Sequence, residues 1–186
     1  MTGNMPTASP TARLTAMRMI AGAFFAAVVM FALVVSLIVP SEYWFEMPDI
    51  LGLALPAVAG VAAAGGIVTV GNSVVAIAPT DPADRATATA VNRFQTSMFV
   101  RLAFAELPAF VGLAAVLISA HPSAIPFLIG AVFSLVLHAA YAFPTRASVR
   151  RVERKLDRDG GRSRLAESFG FGSGPGNGYT GSATVH

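Results

Sequence analysis

Four runs of apolar residues, each about long enough to cross a bilayer, leave this chain few ways to fold. A hydrocarbon core ~30 Å thick takes about 20 apolar residues in a helix. The first run, Met19 to Val39, carries no charge and closes at Pro40. The second is uncharged from Ile50 to Ala78, its regular part beginning near residue 55, and stops at Pro79. The third spans Ser97 to Ser119 and the fourth Ile125 to Phe143. Proline sits at most of these boundaries because it cannot continue a helix. Only 12% of the 186 residues are charged and 54% are hydrophobic, whereas a soluble domain is about 25% charged. The expected fold class is therefore all-α, an integral membrane four-helix bundle with spans at about 19–39, 55–78, 97–119 and 125–143. A segment 1–18 precedes the bundle (19–145), and a basic tail 146–186 follows it.

The loop charges set an orientation. Arg13 and Arg18 flank the first span, Arg85 and Arg93 lie between the second and third, and Arg146, Arg150, Arg151, Arg154 and Lys155 follow the fourth. The other two loops contain no Lys or Arg. By the positive-inside rule, a multi-pass protein of the cell membrane with both termini cytoplasmic is expected. Tyr43, Trp44 and Phe45 then mark the outer interface, and Glu42, Glu46 and Asp49 read as a solvated loop. The first run leads into Pro40 with no small-x-small cleavage site, so it is read as an uncleaved anchor. In the tail, Val149, Val152 and Leu156 fall at helical spacing among basic residues. A short amphipathic helix on the anionic inner leaflet is expected, with Arg146, Arg150, Arg151, Arg154 and Lys155 as its membrane-surface contacts. From about residue 160 the tail is glycine-rich and expected to be disordered. A juxtamembrane basic cluster meets lipid headgroups, so no nucleic acid partner is expected.

Within the spans, polar residues are few enough to be informative. Glu106 is the only carboxylate in any of the four runs, and an acid at bilayer depth needs a partner or a purpose. The second span is crowded with small residues, including Gly60, Ala64, Gly65, Gly66 and Gly71, and the third contributes Gly112. Four-residue spacing of small side chains lets helices approach closely where lipid supplies no hydrophobic drive. Counting ~1.5 Å per residue along an antiparallel hairpin of spans two and three sets Glu106 level with Gly65 to Ile67. The same count sets Arg101 level with Asn72 and puts His138 at a similar depth. Asn72, Arg101 and His138 are thus expected to form a polar layer below Glu106. Two roles compete for these residues. A carboxyl group in low dielectric can load and unload a proton during transport. Alternatively, Glu106 bonds a neighbouring helix as polar glue while Arg101 snorkels to the inner face. Arg101 and Glu106 are five residues apart, which is poor phasing for a salt bridge within one helix.

The stretch from Thr96 to Ile118, with Glu106 followed six residues later by Gly112, resembles the carboxylate-bearing helix of the rotor-ring c subunit of F-type ATP synthases. The glycine-rich second span and the middle loop, which is cytoplasmic in the orientation above, agree in kind, and the resemblance covers roughly residues 57–118. It implies that Glu106 carries a translocated proton or sodium ion.

Other chemistry finds no footing in the sequence. There is no Walker-type loop, nucleophile elbow or metal-spaced cluster, and His121, His138 and His186 are scattered. No catalytic constellation, metal or cofactor is expected. Three functional readings stand. The first is a structural or accessory subunit that binds the lipid bilayer and other membrane subunits or copies of itself. The second is a proton-linked carrier or rotor-like subunit using Glu106. The third is a small channel or transporter that works as an oligomer.

Overall fold

The computed structural model describes residues 9–120 and 122–172. Those residues are all-helical, with no strand among them. Helix α1 runs Pro10–Ile38, α2 Ile50–Asn72, α3 Ala83–Ile118 and α4 Ile125–Leu137, which continues as a π turn, His138–Ala142. Two shorter helices follow, α5 Arg146–Leu156 and α6 Leu165–Ser168. Four helical segments, with α4 and its π turn counted as one, are long and apolar enough to cross a membrane.

Local chemistry explains most of the helix ends. Ser9 accepts a hydrogen bond from the Ala12 amide and Pro10 occupies the first turn of α1, so this helix starts well before the apolar run expected from Met19. Asp49 accepts from the Gly52 amide at 2.7 Å and opens α2 at Ile50 rather than near 55. At its other end α2 stops at Asn72, short of the expected 78. Residues 73–78 are instead an irregular segment held from two sides: Arg93 Nη1 donates to the Val75 and Ala76 carbonyls, and the Ile77 amide donates to Leu156. Helix α3 likewise begins at Ala83, one full polar stretch before its apolar part. Apolar runs mark what lipid can hold, whereas capping residues mark where a helix begins and ends.

The bundle has three packed regions. Near the tail, Leu14 and Met17 of α1, Phe94 and Met98 of α3, Val152 and Leu156 of α5, and Leu165 and Phe169 share one core. At the opposite end Val28 and Val35 of α1 meet Ala109 and Val116 of α3 and Phe127 and Ala131 of α4. Between them lie Ala63, Ile67, Ala105 and Leu137. The Trp44 indole donates to the Val39 carbonyl, its own carbonyl accepts from the Ala124 amide, and the Ser123 hydroxyl donates to the Glu46 carbonyl. The two loops at that end are thereby tied together.

The tail packs further than its composition foretells. Helix α5 turns Val149, Val152 and Leu156 inward onto protein, leaving Arg146, Arg150, Arg151 and Arg154 exposed. Its apolar stripe is therefore covered by the bundle and is not free to enter lipid. The disorder expected from about 160 does not begin there. Ser163 and Ala166 donate their amides to Asp157 and Glu153, Leu165 is buried, and the Phe169 ring packs tilted against Phe94, centroids 5.1 Å apart. Burying each such large apolar side chain from water is worth roughly 1.5–3 kcal/mol, enough to order a short glycine-flanked segment. Most of the glycine-rich run expected to be disordered, residues 173–186, lies outside the described residues.

Candidate functional site: a buried glutamate and histidine pair

Helix α3 presents Leu102, Ala105, Glu106, Ala109 and Gly112 to the interior. Helix α4 presents Gly130, Ser134, Leu137 and, at the start of the π turn, His138. The two faces approach so closely that a Cβ on Gly112 would meet the Pro126 carbonyl, and one on Gly130 would meet the Pro108 carbonyl. This backbone contact sets the acid and the imidazole side by side. Glu106 and His138 are each 3% exposed, with His138 Nε2 3.7 Å from Glu106 Oε1.

The ring is oriented by its other nitrogen. His138 Nδ1 lies 2.8 Å from the Ser134 carbonyl oxygen and 3.5 Å from the Ser134 hydroxyl. A carbonyl can only accept, so Nδ1 carries hydrogen and Nε2 of the neutral ring offers a lone pair to Glu106. Neither carboxyl oxygen nor Nε2 has a hydrogen-bond partner among the described residues, and 3.7 Å lies beyond hydrogen-bond range. A bare carboxylate facing a lone pair would leave three buried acceptor positions unsatisfied. A proton on either group, giving a carboxylic acid or an imidazolium, would supply the donor that the pair lacks once the side chains closed by less than about 1 Å. His138 also lines an apolar cleft of about 410 Å³ between α1 and the π turn, with Ala21, Gly22, Phe25 and Ala142 among its walls. The pair is thus within one side chain of an opening. Single π turns inside α-helical segments frequently accompany such sites.

The expected polar layer of Asn72, Arg101 and His138 is split in two. His138 joins Glu106, whereas Arg101 lies against Gly71 with Asn72, Tyr141, Arg151 and Lys155 around it. Residue counting places Cα atoms by depth, but a helical side chain leans toward its own helix N-terminus. Helices α3 and α4 run antiparallel, so Arg101 leans toward the tail end and His138 leans the other way, toward Glu106. The small residues of the second span, expected level with Glu106, also receive other groups. Gly66 receives the Phe104 ring, Gly60 the Phe133 ring and Gly71 the Arg101 guanidinium, while Gly65 has nothing near it and Ala64 packs beside the central cluster. Close backbone packing belongs to α3 and α4 through Gly112 and Gly130. Ser134 and Gly130 went unnoticed in the sequence; Ser134, four residues before His138, was the available signal.

No group of three or more His, Cys, Asp or Glu suited to a metal ion occurs among the described residues. No family model, curated protein or solved structure matches the chain.

Proposed function

We propose that this chain is a four-span protein of the cell membrane, with both termini cytoplasmic, in which Glu106 and His138 bind and release a proton. The observation that carries the reading is the buried 3.7 Å pair, whose carboxyl oxygens and Nε2 have no other partner among the described residues. A structural pair would be expected to have its remaining lone pairs satisfied, because unsatisfied polar groups in a low dielectric are costly. Atoms left open in this way suit a group that changes protonation state. The resemblance of the Glu106 segment to rotor carboxylate helices agrees with a proton role for that residue. Here, however, the partner would be an imidazole from a later span.

If the reading holds, a hydrophobic carbodiimide labels Glu106 in the wild type and not in Glu106→Gln. Proton flux in vesicles reconstituted with the protein falls at least tenfold in that variant, and undiminished flux would overturn the proposal. Orientation is tested separately. The chain has no cysteine, so single cysteines at Ser41 and Thr80, both in exposed connections, report sidedness. An impermeant maleimide added to intact cells should label Ser41→Cys and spare Thr80→Cys; the opposite pattern reverses the topology.

A second reading, an accessory subunit that binds neighbours in the bilayer, is favoured by α1. Only 17% of its most apolar window is buried, and Phe25, Val29, Leu33 and Leu37 form an exposed stripe at four-residue spacing. Such a row can seat against a ridge of another helix.

A further inference from the structure

We infer that the cleft enclosed by the tail end of α2, Arg101 of α3, and helix α5 is a binding site for a phosphate group, that of an anionic phospholipid headgroup. The cleft measures about 150 Å³ and is lined by Arg101, Arg151 and Lys155, with Asn72 and Tyr141 between them and no carboxylate. None of the three cations is ion-paired, since the salt bridges of the described residues join only His138 to Glu106 and Arg158 to Asp159. Arg101 Nε is buried and has no hydrogen-bond partner among the described residues. Three uncompensated cations around a partly buried cleft repel one another unless an anion joins them.

The hydrogen-bonding inventory points the same way. Lys155 Nζ donates to the Gly71 carbonyl at 2.6 Å and to Asn72 Oδ1 at 2.8 Å, capping the end of α2. That uses the acceptor of Asn72 and leaves its amide hydrogens, the third ammonium hydrogen and both guanidinium groups as donors. Donors without acceptors, with two guanidinium forks among them, match the oxygens of a phosphate. The Arg101 guanidinium packs against Gly71, its Nη2 in ordinary contact distance, 3.6 Å, of where a Cβ would stand.

The same chemistry would serve free phosphate, but the apolar surroundings favour lipid. Val68 lines the cleft and is half exposed, and Val61, two helical turns along α2, is exposed as well. Acyl chains attached to a phosphate in the cleft would lie along that face. Basic pockets between spans at the cytoplasmic side hold lipid headgroups in this manner. The lipid assignment rests on the four-span reading and the orientation proposed above, whereas the phosphate chemistry does not.

The test uses the full chain in an uncharged detergent, with binding read by native mass spectrometry and by the shift in unfolding midpoint. The probes are phosphatidylglycerol, phosphatidylcholine of the same chains, and inorganic phosphate. Phosphatidylglycerol should bind at least tenfold more tightly than phosphatidylcholine. That preference should fall at least tenfold in Arg101→Gln and in Arg151→Gln, but not in Arg150→Gln, whose exposed side chain lies outside the cleft. Arg151 is exposed and joins no salt bridge among the described residues, so its variant remains informative if Arg101→Gln fails to fold. Inorganic phosphate binding as tightly as the lipid, with the same dependence on arginine, would keep the phosphate site and overturn the lipid assignment. Equal losses in all three arginine variants, or none in any, would overturn the site. Sidedness labelling is independent of these arms, so failure of the orientation is distinguishable.

Discussion

Gly130→Val should cost about 3 kcal/mol or more of bundle stability, the largest effect of any glycine substitution in the spans. A Cβ at this position would overlap the Pro108 carbonyl and crowd Ala109 Cα, and the reciprocal contact puts Gly112 against the Pro126 carbonyl and Phe127 Cα. These are main-chain atoms of a helix, which cannot turn aside as a side chain can, so α3 and α4 would have to separate along their length. Overpacking ordinarily costs about 1–3 kcal/mol, with more where relief needs backbone movement. Gly60 and Gly66 face the Phe133 and Phe104 rings, which can partly shift, so alanine there should cost less. A Cβ on Gly65 would meet nothing from a neighbouring element within 4 Å among the described residues, and Gly65→Val should stay within about 0.5 kcal/mol of wild type. The chain's single tryptophan is a convenient reporter. Trp44 accepts a hydrogen bond from the Ala124 amide next to α4, so its fluorescence follows the seating of that helix during unfolding in detergent. A Gly130→Val protein as stable as Gly65→Val would show that α3 and α4 do not depend on this contact.

That contrast also marks what the sequence could reveal. Four apolar runs separated by proline predict four long helices, because lipid and backbone hydrogen bonding permit little else. The helix limits were less legible. They depend on Ser9 and Asp49 as caps and on Arg93 gripping the segment after Asn72, contacts made by residues outside the apolar pattern. The importance of Glu106 was visible from its isolation among apolar residues, but its partner was not. Depth counting put His138 beside Arg101, because it follows Cα positions and ignores the opposite lean of side chains on antiparallel helices. The glycines show a similar limit. Small residues at four-residue spacing say that something will approach, and the second span was singled out for it. Whether that is a ring, a guanidinium or another backbone depends on helix rotation, which no spacing within one helix specifies.

Replacing both members of the buried pair should leave the fold intact and abolish the proposed activity. In Glu106→Met with His138→Leu, two apolar side chains of similar size fill a site that now holds three unsatisfied polar atoms. Replacement of buried polar pairs by packed apolar residues is often neutral or stabilising by about 1–4 kcal/mol. His138→Leu alone should instead cost about 1–3 kcal/mol, because the Glu106 carboxyl loses its one ion-pair partner among the described residues. Measured together, the variants form a cycle in which the double substitution is less damaging than the sum of the singles. Glu106→Gln completes the logic. Its amide can donate permanently to His138 Nε2, holding the side chains together without a proton to exchange. It should therefore match wild type in unfolding while failing in proton flux. If polar glue were the whole role, Glu106→Gln would be fully active. The two roles thus make opposite predictions for that variant, because exchanging a proton requires the ionisable atom that a purely structural hydrogen bond can do without.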